Sequence, residues 1–198
     1  AQFNTIDAAT SVNVVLSGGV TDLASAYAAS NGTTTAGLTA IAAQDGDVVI
    51  TVSDAAKVAQ FNTINAATSS NVVLTGGLTD EAVSFATTGG TATSGLTNAT
   101  TQDGDVAITV SGGTAPNVAQ LNTIGGLTTG TVTASIAGNV ADLDDLTTAS
   151  TDAITVTVND AASVAQFNTI DAATSVNVVL SGGLTDEAVS FATTGGTT

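Results

Sequence analysis

Apolar and polar residues alternate over Ala153–Val158, with Ile154, Val156 and Val158 on one side and Thr155 and Thr157 on the other. The same period of two runs through Val132, Ala134 and Ile136, and through Ile108 and Val110. Such segments predict half-buried strands, centred near residues 15, 50, 73, 108, 133, 155 and 179. Between strands the period changes. In NDAASVAQFNTI, Ala161, Val164, Phe167 and Ile170 recur every three residues, which predicts a short helix with Asp160 as its N-cap. In LTDEAVSFA the pattern predicts a second kind of helix, with Thr185 as cap and Asp186 and Glu187 in its first turn. Strands recur about every 23 residues, except for two gaps near 35 that hold Gly/Thr-rich inserts around 29–43 and 87–101.

The pattern is written several times. VAQFNTI stands at 58–64 and 164–170, VAQLNTI at 118–124, and the chain opens on AQFNTI at 1–6. Residues 165–198 match 59–92 at 30 of 34 positions and 1–34 at 26 of 34. Four modules result, 1–58, 59–118, 119–164 and 165–198, the first and last partial, as in a window of a longer polymer. A strand and a short helix every 23 or so residues predict an α/β solenoid. Its single parallel sheet would hold about seven strands, backed by the helices; an all-β solenoid is the alternative. In this reading Phe3, Ile6, Phe61, Ile64, Leu121, Ile124, Phe167 and Ile170 face the sheet. Asn4, Asn62, Asn122 and Asn168 are buried at the bend of the coil, where they satisfy backbone groups.

Charge narrows the partners. Seventeen acidic residues face one base, Lys57, for a net charge of −16 without any His. Nucleic acid is excluded, because phosphate binding needs Lys and Arg, and anionic membrane surfaces are repelled. No run approaches the roughly 20 apolar residues of a spanning helix. Cations, above all Ca²⁺, are the natural counterparts, and QDGDV occurs twice before a strand. Asp45, Asp47, Asp103 and Asp105 are therefore candidate calcium ligands, although an Asp-x-Asp turn also starts a strand without metal. The cluster Asp142, Asp144 and Asp145 reads as a solvated face. Without His or Cys, neither a His-based triad nor a thiol nucleophile can be built, so no enzyme, catalytic residue or organic cofactor is expected. The sequons at Asn31 and Asn98 fall in the inserts, where decoration would be exposed.

The alternation of AITVTVNDAASVAQFNTIDAATS (153–175) with TVTASIAGNVADLDDL (131–146) resembles the tandem repeats of giant secreted surface proteins, particularly those of cyanobacteria. The likeness covers the whole chain. It implies an extracellular, type I-secreted adhesin, fibre or sheath-like protein. Its partners would be further copies of the repeat, end to end and side by side, or glycans on a surface. The Gly-Gly-x-Gly-x-Asp nonapeptides that accompany calcium in such proteins are absent here.

Overall fold

The computed structural model describes residues 2–191. It is an α/β fold in which helices alternate with the strands of two all-parallel sheets. The first sheet is β1 (Val20–Asp22), β2 (Ile50–Val52) and β3 (Val72–Leu74). The second runs β4 (Leu78–Asp80), β5 (Ile108–Val110), β6 (Val132–Gly138), β7 (Ala153–Val158) and β8 (Val179–Leu180). Within each sheet, strands lie in chain order, as short helical crossovers require.

The single sheet of about seven strands is thus corrected to sheets of three and five. The break falls at Thr75-Gly76-Gly77, between β3 and β4, where Gly77 takes φ +73°. On one side of this kinked segment β3 pairs with β2, and on the other β4 pairs with β5. One parallel bridge, Ala56 with Leu78, spans the gap. Spacing is also less even than 23 residues. Val20 pairs with Ile50 and Leu78 with Ile108, an advance of 30; Ile50 pairs with Val72 and Thr157 with Val179, an advance of 22. The strand expected near residue 15 is displaced to β1, and Val14–Leu16 belongs to no strand.

The motif forms helices, which removes the all-β alternative: α4 (Val58–Ala66), α7 (Val118–Gly125) and α9 (Val164–Ala172), with α1 (Gln2–Asp7) as the first copy. Ser163, not Asp160, caps α9, its hydroxyl accepting from Gln166 N. The LTDEAVSF segments differ from expectation. Leu78-Thr79-Asp80 is strand β4, and the helix is the single turn α5 (Ala82–Phe85) after Glu81. Its copies are α2 (Ala24–Tyr27) and α10 (Ala188–Phe191); the latter begins beyond Thr185, Asp186 and Glu187. A further single turn, α8 (Val140–Leu143), follows β6. The inserts hold nine-residue helices, α3 (Ala36–Gln44) and α6 (Ser94–Gln102), capped by Thr35 and Thr93. Each follows a small antiparallel loop closed by Ala28 with Thr34 or Ala86 with Ala92.

One continuous core lies between strands and helices. Ile50, Val52, Ile108, Val132, Ile154, Val156 and Val158 enter it from the strands, and Phe61, Ile64, Leu121, Ile124 and Ile170 from the motif helices. Thr155 on the opposite face is exposed, as period two demands. Each fully buried Ile, Leu or Phe contributes about 1.5–3 kcal/mol.

Candidate functional site

The two Asp-x-Asp loops leave helices α3 and α6, with Asp45 and Asp103 as the C-cap residues. Their side chains turn back to the preceding segment. Val14 N donates to Gln44 Oε1 at 3.1 Å and Leu16 N to Asp45 Oδ2 at 2.7 Å. Fifty-eight residues on, Val72 N donates to Gln102 Oε1 at 3.3 Å and Leu74 N to Asp103 Oδ2 at 2.7 Å. Gln-Asp therefore replaces a strand at the entry of each segment, satisfying backbone donors that no ladder reaches. The far side of each loop is gripped by the next segment: Ser69 N donates to Gly46 O and Thr129 N to Gly104 O.

Electrostatics within each pair follow from this geometry. The Leu16 amide, with a hydrogen bond from Asp47, holds Asp45 below the usual carboxylate range. Asp47, sharing that bond and facing the Asp45 charge, is pushed up. Asp103 is raised, because burial outweighs the Leu74 amide and Asp105 adds repulsion. Two carboxylates per loop are fewer than the six to eight oxygens of Ca²⁺, and one oxygen of each first Asp is already engaged. Among the described residues no group of three or more acidic, His or Cys side chains is placed to hold a metal.

The packing motif distributes its roles differently from expectation. Phe61, Ile64, Leu121, Ile124 and Ile170 are fully buried, whereas Phe3 and Phe167 are half-buried and Ile6 is 56% exposed. Asn4, Asn62 and Asn168 are exposed and Asn122 half-buried, so the buried Asn at the bend is corrected. Of the four, Asn122 does bond to backbone: its Nδ2 donates to Asp145 O and its Oδ1 accepts from Thr147 N. The recurrent buried amide is instead Gln, two positions earlier. Gln60 Nε2 donates to Ala28 O and Gln120 Nε2 to Ala86 O, each at 2.8 Å. Their Oε1 atoms accept from the N-cap amides Lys57 N and Asn117 N. The neighbouring Thr completes the tie: Thr63 and Thr123 hydroxyls donate to Gly32 O and Gly90 O at the loop tips. Where no insert precedes, as at α9, Gln166 turns to Asp144 and Thr169 to its own helix. The capping box Ser163-x-x-Gln166 was the legible signal for these glutamines.

Conserved geometry extends to the aspartates that end strands or turns. Asp54, Asp80, Asp160 and Asp186 accept from Ala24 N, Val58 N, Val140 N and Val164 N, the first amides of α2, α4, α8 and α9. Negative charge at a helix start is favourable. Asp186, with added bonds from Ser190 and Glu187, is held below the ordinary range. Asp142 lies in α8 with Asp144 at its C-cap, and Asp145 follows.

An open groove of about 430 Å³ runs beside α1 and is lined by Phe3, Asn4, Ile6, Asp22 and Tyr27 among others. Tyr27 is buried, its hydroxyl lacks a hydrogen-bond partner, and burial followed by the Asp22 charge raises its pKa. No helix among the described residues is long and apolar enough to cross a membrane. Comparison with protein-family models, curated proteins and solved structures finds no match.

Proposed function

We propose that this chain is a structural segment of an extracellular repeat protein, wound as an α/β solenoid and acting by stacking and self-association into a fibre, filament or sheath. The observation that supports it is the recurrence of the same bonds between neighbouring units. Val14–Gln44 and Leu16–Asp45 return as Val72–Gln102 and Leu74–Asp103, and Gln60–Ala28 returns as Gln120–Ala86. Each unit is tied chiefly to the next, so stability accumulates along one dimension and length is added without redesign. Most of the carboxylate and hydroxyl bonds among the described residues run to backbone groups, a chemistry that serves cohesion.

Electron microscopy of the purified chain, and of longer tandem arrays of it, tests the reading. Filaments with an axial repeat matching the module support it; dispersed particles at every concentration and ionic condition overturn it. A second reading, an adhesin stalk contacting glycans, is favoured by one observation. The insert tip at Asn31 is exposed and held by an Asn31 Oδ1 to Thr33 N turn, presenting a polar loop away from the core. Glycan-array binding without filaments would select it.

A further inference from the structure

The glycine pair that kinks the LSGG and LTGG segments occurs three times, at Gly18-Gly19, Gly76-Gly77 and Gly182-Gly183. At two of these sites the first glycine is pressed against another backbone. A Cβ on Gly76 would lie 2.1 Å from the Asp54 carbonyl carbon, and one on Gly182 would lie 2.0 Å from that of Asp160. The approaching chain has the same sequence class in both cases, Ile50–Ala56 (ITVSDAA) and Val156–Ala162 (VTVNDAA). It also makes the same bonds. Thr79 N and Thr185 N donate to Ala56 O and Ala162 O at 2.9 Å, and Ala56 N and Ala162 N donate to Gly77 O and Gly183 O at 3.1 Å.

Gly18 belongs to the same unit, since residues 1–27 match 165–191 at 22 of 27 positions, yet no described atom lies within 4 Å of where its Cβ would sit. Among the described residues, strand β1 is the outer strand of its sheet and pairs with β2 alone. The apolar residues along this edge show the same lack of cover. Ile6 is 56% exposed where Ile64 and Ile170 are fully buried, and Val12 and Val15 are 71% and 77% exposed.

We propose that the edge running from Val14 to Asp22 is a docking site for one parallel strand and turn of the class Ile-Thr-Val-x-Asp-Ala-Ala, carried by a neighbouring unit of the same repeat. The turn backbone would lie on Gly18, with its last Ala donating to Gly19 O and accepting from Thr21 N. Side-chain clash forbids this approach at any residue larger than glycine, which gives Gly18 a purpose that the contacts among the described residues do not explain. The inference rests on the proposed stacking function but specifies the partner and the contact.

The test uses the full 198-residue chain and a labelled peptide of the Val48–Val58 sequence, VVITVSDAAKV. Its Asp and Lys cancel, so the −16 charge of the protein does not oppose binding. Fluorescence anisotropy is expected to show saturable one-to-one binding, and NMR to move the amides of Gly18 and Thr21. Gly18→Val, whose side chain enters open space, is expected to leave the urea midpoint unchanged and weaken binding at least tenfold. A peptide with the Ala56 position changed to Pro, lacking the donor to Gly19 O, should also fail. Equal binding by Gly18→Val, no saturable binding by the wild type, or shifts confined to Val178–Leu184 would each overturn the proposal. Filaments seen without peptide binding would remove this edge but keep the fibre; peptide binding without filaments would do the reverse.

Discussion

The segment that carries β3 and β4 and the segment that carries β6 solve one problem in two ways. Each must pair with a strand on either side while feeding a helix at each end. Between β3 and β4 the chain breaks at Gly76-Gly77 and shifts, so that Leu74 serves the left neighbour and Leu78 the right. Strand β6 is unbroken over seven residues and pairs with β7 from Thr133 to Gly138. The entry donors are satisfied differently too. Gln102 and Asp103 take Val72 N and Leu74 N, whereas Asp152 alone takes Val132 N and Ala149 N on its two oxygens. At β7 a hydroxyl suffices, Thr174 accepting from Ile154 N. The fold therefore requires that entry donors be satisfied, and is tolerant of which side chain does so. What it does not tolerate is bulk at the kink.

The largest expected effect follows from that difference. Gly76→Val places a side chain into the Asp54 backbone, and the neighbouring Gly77 has no slack, since a Cβ there would lie 2.4 Å from Ala107 O. Overpacking of this kind costs about 1–3 kcal/mol, and the rigid backbone partner puts it at the upper end. Urea unfolding of Gly76→Val should show a much lower midpoint than wild type. The matching change on the straight strand, Ser135→Val on the exposed face of β6, should stay within about 0.5 kcal/mol. Equal losses at both sites would mean that the kink is not what distinguishes the segments.

A second comparison separates the glutamines. Gln60 and Gln120 are buried and each satisfies two backbone groups, so Ala substitution leaves a carbonyl and an amide unpaired at about 1–3 kcal/mol. Gln166 is half-buried, and its Nε2 partner is the Asp144 carboxylate at 3.3 Å. Gln166→Ala should therefore cost clearly less than Gln120→Ala in the same urea titration.

How far these distinctions were legible depends on the length scale of their cause. Alternation at Ile154–Val158 and the three-residue spacing ending in Ile170 are local consequences of facing a core, and both strand and helix could be read from them. The kink at Gly76 depends on how closely Asp54 approaches from another segment, which no local pattern encodes. In LTDEAVSF the acidic pair suits a first helical turn after a Thr cap, but pairing of Leu78-Thr79-Asp80 with Ile108–Val110 overrides that preference. Recurrence at a fixed register marks Asn as well as Gln, and only the helical face separates the exposed Asn62 from the buried Gln60. Gln60, one turn of α4 before the fully buried Ile64, lies on the face toward Ala28, and Asn62 lies off it. The calcium candidates were visible as pairs, but their engagement with Leu16 and Leu74 depends on residues about thirty positions away.

The first carboxylates of the two loops, Asp45 and Asp103, should also respond oppositely to pH, although Asp47, raised beside Asp45, offsets part of the effect in its own loop. Asp45 is depressed when folded, so the stability it contributes is present above the unfolded carboxylate range near pH 4 and is lost as pH falls through its lower folded value. Asp103 is raised, so its contribution is full below the unfolded value and is lost as pH rises through the folded one. Asn mimics the protonated acid in both places. Asp45→Asn should lower the melting temperature at pH 7 and lose its effect near pH 3, whereas Asp103→Asn should leave it unchanged or raise it at pH 7. Loss of the same sign in both variants at pH 7 would show that burial does not set the two loops apart.

The smallest effect is expected where charge is most conspicuous. Lys57 is the one base in the chain, and its ammonium lies 3.4 Å from Asp80, with 40% of the side chain exposed. Exposed pairs of this kind contribute little, typically below about 1 kcal/mol. The Asp80 carboxylate keeps Val58 N and Glu81 N as donors without the ammonium, and the Lys57 amide keeps Gln60 Oε1, so no buried group is stranded by the loss. Lys57→Ala should therefore shift the urea midpoint by clearly less than Gly76→Val, Gln60→Ala or Gln120→Ala, and 0.5 M NaCl should do no more to the wild type through this pair. A loss as large as that of Gln60→Ala would mean that the start of α4 is held by charge, and that the backbone bonds described here are secondary to it.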